Sequence, residues 1–151
     1  LAAGEGKRMK SSIPKVLNKI GGLSMLTRVV ETALKLKPSK IIVIVNPLHK
    51  EIKKTLNFEL NDRPEINSIK FVEQSKPLGT GHAVKMSLPH LNHKFQTMIL
   101  FGDVPLLSIK TLRSLKNNSK NSALKILTAF LEIPFQTKAN IYQNQIGIIF
   151  M

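Results

Sequence analysis

Cysteine is absent from this chain of 151 residues, so neither a disulfide framework nor a thiolate metal site can hold it together. That composition suits the cytoplasm, where the chain is expected to work. Long apolar runs are missing as well. Ile41 to Val45, among the longest, falls far short of the ~20 residues that a bilayer span needs, and no apolar signal segment opens the sequence. A membrane is therefore not expected as a partner. Acidic residues are scarce, 9 against 23 lysines and arginines, for a formal net charge of +14. Such an excess is the usual footprint of nucleic-acid binding. Here the lysines are scattered, tryptophan is absent and a single tyrosine occurs, so aromatic residues do not interleave with basic ones. Lysine far outnumbers arginine, and isoleucine and asparagine are plentiful, a bias that an AT-rich genome produces without any binding function. Nucleic acid is not the expected partner. There is no internal repeat and no separate linker-bounded domain, Asn117 to Ser122 being only a turn-rich linker between elements, and 42% hydrophobic residues suffice for one core, so the chain reads as one domain or part of one.

What is present begins at the first residue. Leu1-Ala2-Ala3-Gly4-Glu5-Gly6 leads into Lys7, Arg8 and Lys15. Glycines let main-chain N–H groups approach an anion, and the cations neutralise it, which is how a backbone loop holds a polyphosphate. Gly-x-Gly alone is a weak signal, since glycines also mark ordinary turns, and the Walker spacing is not met.

Beyond the loop, helix and strand signals alternate, the mark of an α/β fold. Ser24 to Lys37 has helical spacing, with Ser24 as N-cap and Pro38 as stop. Ile41 to Val45 is a β-branched run suited to a strand buried on both faces. A helix over Pro47 to Leu56, a polar loop over Asn57 to Asn67 and a strand over Ser68 to Val72 follow, with His49 read as solvated surface. Ala83 to Leu88 reads as helix, Thr97 to Phe101 as strand, Ser108 to Lys116 as helix capped by Ser108, and Ala123 to Leu131 as strand.

Two further stretches carry chemistry. In Gln74-Ser75-Lys76-Pro77-Leu78-Gly79-Thr80-Gly81-His82-Ala83 the glycines and threonine open a helix after a strand, where main chain can meet a flat ligand closely. Gln74 offers a donor and an acceptor to a base edge. The plainer reading is a turn and helix cap. In Phe101-Gly102-Asp103-Val104-Pro105-Leu106, a carboxylate follows a strand, where open α/β sheets place their ligands. Asp103 can hold Mg²⁺ there with phosphate oxygens, or simply cap the turn.

Together, LAAG-x-G-x-RM-x-S-x-x-PK, Q-x-x-x-LGTGHA and FGDVPLL resemble the sugar-phosphate nucleotidylyltransferases, most of all the UDP-N-acetylglucosamine pyrophosphorylases. The resemblance implies a three-layer Rossmann-like α/β domain with a mostly parallel sheet. It implies uridylyl transfer from UTP to N-acetylglucosamine 1-phosphate with Mg²⁺ as cofactor. It implies that Leu1, Ala2, Ala3, Gly4 and Gly6 hold the nucleotide, with Arg8 and Lys15 neutralising the triphosphate as the catalytic cations. Gln74 and Gly79 would contact the uracil, Thr80 would lie beside the nucleoside, and Asp103 would bind the metal. Lys7 departs from the Thr or Ser usual in the family.

The likeness decays past Glu132. Where the family carries a Gly-Tyr-Gly-Arg segment that shapes the sugar pocket, this chain has Ile133-Pro134-Phe135-Gln136-Thr137-Lys138-Ala139-Asn140. An apolar strand is expected before Leu1. The expectation is thus of a partial nucleotidyltransferase domain over 1–151, truncated at both ends and without the acyltransferase β-helix of the bifunctional enzymes. A second polypeptide supplying the rest is a partner that this reading leaves open. The alternatives are an inactive remnant that at most binds nucleotide, or a transferase for another NTP, against which LGTGHA argues.

Overall fold

The computed structural model describes residues 1–4, 13–92, 94–118, 125–127 and 148–150. Among these, a short ribbon of β1 (Lys19–Ile20) and β2 (Leu23–Ser24) leads into α1 (Met25–Leu34), followed by β3 (Ile41–Val45), α2 (Lys50–Glu59), β4 (Ile69–Glu73) and α3 (Thr80–Ser87). The chain continues through β5 (Met98–Ile99) and α4 (Ile109–Asn118) to β6 (Lys125–Leu127) and β7 (Ile148–Phe150). Strands β3 and β4 pair in parallel, with Ile41 opposite Ile69 and Val45 opposite Glu73. Strand β7 lies between β5 and β6 and runs antiparallel to both.

The first residues join these pieces. The Leu1 nitrogen donates to Leu100 O (2.6 Å), Gly102 N donates to Leu1 O (2.9 Å) and Ala2 N donates to Ile44 O (2.9 Å). Residues 1–3 therefore fill the strand position between β3 and β5. Counting that segment as the first strand, the order β4, β3, first strand, β5 is the 3-2-1-4 arrangement of the doubly wound fold, whose ligand crevice opens where the order reverses.

Why the strands are apolar throughout is visible in β3. Val43 and Val45 pack with Leu26 and Val30 of α1 and Ile52 and Leu56 of α2. Ile44, with Ile42 beside it, packs with Ala83 of α3 on the opposite face. The two-residue period of a strand thus feeds two helical layers, giving the expected three-layer α/β fold. Helix α4 adds Leu112 and Leu115 against Met98 and Leu100.

Some boundaries moved. Helix α2 begins three residues later than expected, because Asn46 Oδ1 accepts from Leu48 N (2.9 Å) and turns the chain first. It runs on to Glu59, and Pro64–Ser68 forms a 3₁₀ helix, so the expected polar loop is largely helical. His49 is not solvated surface: it sits at the N-cap position with its Nε2 buried and without a partner.

Helix α1 is fixed at its start by a polar cluster. Ser24 Oγ accepts from Thr27 N (3.2 Å), and Glu59 of α2 accepts from Ser24 N (3.0 Å) and from the Thr27 hydroxyl (2.5 Å). Ser24 and Thr27 are fully buried, so their donors need these acceptors. Burial pushes the Glu59 carboxyl up, but the hydrogen bonds from Thr27 and Ser24, with Lys19 nearby, outweigh it and hold the group below its ordinary 4.5. A carboxyl lowered on folding stabilises the fold above its unfolded pKa, and that contribution fades as pH falls through the folded value. Glu59→Gln is therefore expected to lose about 1–2 kcal/mol at neutral pH. Urea melts of both proteins at pH 7 and pH 3 check this, since the gap should close in acid; an equal gap at both would show that the charge is idle.

Candidate active site

The crevice expected at the carboxyl ends of the first strand and β5 is bounded by close local packing. Pro14, Val16 and Leu17 are buried, and the single 3₁₀ turn Lys15–Leu17 carries Lys15 at its start. From the other side, Gly102 is buried against the first strand. A Cβ there would lie 3.1 Å from Leu1 O, 3.2 Å from Val16 Cγ1 and 3.3 Å from Leu26 Cδ1, so only glycine fits without displacement. That close approach delivers Asp103 to Lys15, whose Nζ donates to Asp103 Oδ2 at 2.7 Å. Both side chains keep over a third of their surface exposed (40% and 36%), open to a ligand entering the crevice.

Ala2 and Ala3 are core residues, 1% and 6% exposed, and Gly4 emerges from the sheet into solvent. Their small size lets the first strand pack between two helical layers, and their main chain leads to the loop. Gly6 and Arg8 lie outside the described residues, as does Ile133 to Asn140. Leu1 sits with its carbonyl and nitrogen both engaged in the sheet.

Strand β4 ends at the second stretch. Gln74 N continues the ladder to Val45 O (2.8 Å), and the side chain is 4% exposed. Its Nε2 contacts Gly79 O at 3.1 Å and His82 Nδ1 at 3.0 Å. The Gln74 amide is thus held from within the protein at its nitrogen end, with the direction of the His82 contact set by which ring nitrogen carries the proton. Gly79 has φ +91°, a conformation glycine adopts without strain, and its carbonyl also accepts from Ala83 N (3.1 Å). Thr80 opens α3 and is exposed.

Among the described residues no three His, Cys, Asp or Glu side chains gather as a metal cluster. A single carboxylate at Asp103, completed by phosphate oxygens and water, nevertheless suits Mg²⁺, which keeps much of its hydration and commonly takes one or two carboxylates. The Lys15 ammonium would have to yield Oδ2 or share the carboxylate. No described helix is long and apolar enough to cross a membrane.

Sequence reading passed over Gly102 in this site and read His82 as packing at the helix start. Gly102 stood in view in the quoted FGDVPLL string, where a glycine before a strand-end carboxylate signals a close backbone approach. The bond from Gln74 to His82 gave no such signal.

Similarity to known proteins shows the family. The MobA-like NTP transferase domain matches residues 1–132. The chain is 42% identical over 134 residues to the bifunctional protein GlmU of Coxiella burnetii, covering 89% of this chain and 28% of that protein. It is 40% identical over 134 residues to a probable UDP-N-acetylglucosamine pyrophosphorylase of Acanthamoeba polyphaga mimivirus, covering 88% of this chain and 51% of that one. The chain thus spans about half or less of the length of these relatives. Among solved structures, HddC from Yersinia pseudotuberculosis complexed with GMP-PN superposes with a TM-score of 0.61 at 26% identity, covering 83% of this chain and 54% of that one. A putative glucose-1-phosphate thymidylyltransferase from Bacillus anthracis superposes at 0.70 with 17% identity, over 87% of this chain and 53% of that one, a likeness of fold.

Proposed function

Because the chain belongs to the MobA-like NTP transferase family, whose chemistry is nucleotidyl transfer, we propose that it is the nucleotide-binding part of a uridylyltransferase acting on UTP and N-acetylglucosamine 1-phosphate. A phosphate oxygen of the sugar phosphate bonds to the α-phosphorus of UTP, the bond from that phosphorus to the β-phosphate oxygen breaks, and pyrophosphate leaves. Such a reaction needs positioning and charge neutralisation more than a covalent nucleophile.

The observation that carries this reading is the 2.7 Å pairing of Lys15 with Asp103 at the mouth of the crevice. In it, Lys15 neutralises triphosphate charge as Arg8 does from the loop, and Asp103 holds Mg²⁺. The metal would supply charge stabilisation to the phosphate oxygens. Leu1, Ala2 and Ala3 carry the main chain along the first strand to Gly4, and Gly4 and Gly6 would offer backbone N–H groups to the phosphates, while Gln74, Gly79 and Thr80 would meet the nucleoside. The name of the mimivirus relative, a probable UDP-N-acetylglucosamine pyrophosphorylase, supports the sugar. The absence of glycine and arginine from Ile133 to Asn140 favours a second reading, in which this chain binds nucleotide but barely completes transfer alone.

Calorimetry with Mg²⁺ tests the base: UTP is expected to bind about 10-fold more tightly than CTP or GTP, the scale of one made or missed buried hydrogen bond. Equal affinity for all three would end the uracil assignment.

A further inference from the structure

The Gln74 carboxamide has one donor end and one acceptor end, and which end meets a pyrimidine decides which pyrimidine it accepts. At N3, uracil presents an N–H donor, whereas cytosine presents a bare acceptor. An amide oxygen there welcomes uracil and repels cytosine; an amide nitrogen does the reverse. Whatever fixes the amide's orientation therefore fixes the base.

Inside the protein, two groups stand against the amide nitrogen. One is Gly79 O, at 3.1 Å from Nε2, which can only accept. The other is His82 Nδ1, at 3.0 Å. With the amide turned round, its oxygen would face the Gly79 carbonyl with no proton between them. With the nitrogen there, both amide hydrogens find acceptors, provided that His82 carries its proton on Nε2. Among the described residues, Oε1 is then the one atom of the carboxamide left without a hydrogen bond. Gln74 as a residue is 4% exposed, yet Oε1 is not one of the atoms sealed from the surface, so a ligand entering there can reach it.

We infer that His82 is a positioning residue for base selection: by accepting from Gln74 Nε2 it holds Oε1 free as the acceptor that takes uracil and rejects cytosine. This rests on the uracil reading above. His82 touches no reacting atom in it. The imidazole supplies the second of two acceptors, and without it the amide loses one neutral hydrogen bond's worth of bias.

The test compares the ratio of CTP to UTP dissociation constants in the full chain and in two variants, His82→Phe and His82→Asn. Both nucleotides are measured on each protein, so any general loss of folded material cancels in the ratio. Phenylalanine keeps a ring but cannot accept, and the ratio is expected to fall about 3- to 10-fold. Asparagine places Oδ1 close to where Nδ1 lies, and the ratio is expected to return to within about 2-fold of the parent. A ratio unchanged in His82→Phe, or reduced equally in both variants, overturns the inference while leaving the uracil assignment standing. A parent chain without preference for UTP overturns the assignment and the inference with it.

Discussion

Pyrophosphate release from UTP and N-acetylglucosamine 1-phosphate by this chain alone is expected to run at least ~10³-fold below that of a complete UDP-N-acetylglucosamine pyrophosphorylase. Removing one preorganised charge-stabilising contact typically costs roughly 10²–10³ in rate. Ile133 to Asn140 holds neither the glycines nor the arginine of the segment that the family resemblance places there, so on the second reading shape and charge of the sugar pocket would be lost together. Such losses do not simply multiply, which is why the figure is a floor rather than a product. A coupled pyrophosphate assay run beside a full-length relative gives the comparison. Comparable rates would remove the second reading and would mean that residues within Ile133 to Met151 hold the sugar by another design.

Replacing Asp103 with asparagine is expected to weaken UTP binding about 10- to 100-fold in the presence of Mg²⁺, the scale of a lost contact to a charged group. The change is nearly isosteric. The Lys15 to Asp103 pair is also too exposed for its loss to unfold the protein, since pairs of that kind contribute at most about 1 kcal/mol. In EDTA the outcome should differ, because Lys15 is released from its carboxylate and becomes available to the phosphates. Metal-free affinity should hold or rise. Titrations of both proteins with and without Mg²⁺ decide it: an unchanged Mg²⁺ dependence would leave Asp103 as a turn cap and no more.

The parts of this molecule that were legible in its sequence are those where one local cause dominates. Ile41–Val45 is a strand to the residue because five consecutive β-branched residues admit little else. Helices α1 and α4 start where Ser24 and Ser108 accept from the N–H three residues on, a bond that spacing alone discloses. Helix α2 slipped because a side chain, Asn46, competed for the backbone before the helix could begin. Strand β7 went unread: Ile148–Phe150 is a short apolar run whose partners, β5 and β6, lie far back in the chain. Within the site, Lys15 and Asp103 were both named from their own motifs. That they touch was not readable, because 88 residues separate them. The Gln74 to His82 bond lay closer in sequence yet was equally hidden, since a histidine at a helix start usually does no more than pack.

The docking of residues 1–3 between β3 and β5 has a consequence for how the protein is made. The bond from the first residue to Leu100 spans 99 positions, and no partner for that side of the first strand exists until β5 has been synthesised. During translation the apolar opening segment must wait while α1, β3, α2 and β4 emerge and condense. Contacts of such long sequence separation close late and slow folding. The contact between the first strand and the segment after β5 thus cannot form until Leu100 and Gly102 have emerged. A nascent chain arrested before Gly102 would leave the first strand without its neighbour on that side, and the unpaired sheet edge would be open to capture by a chaperone or by another copy.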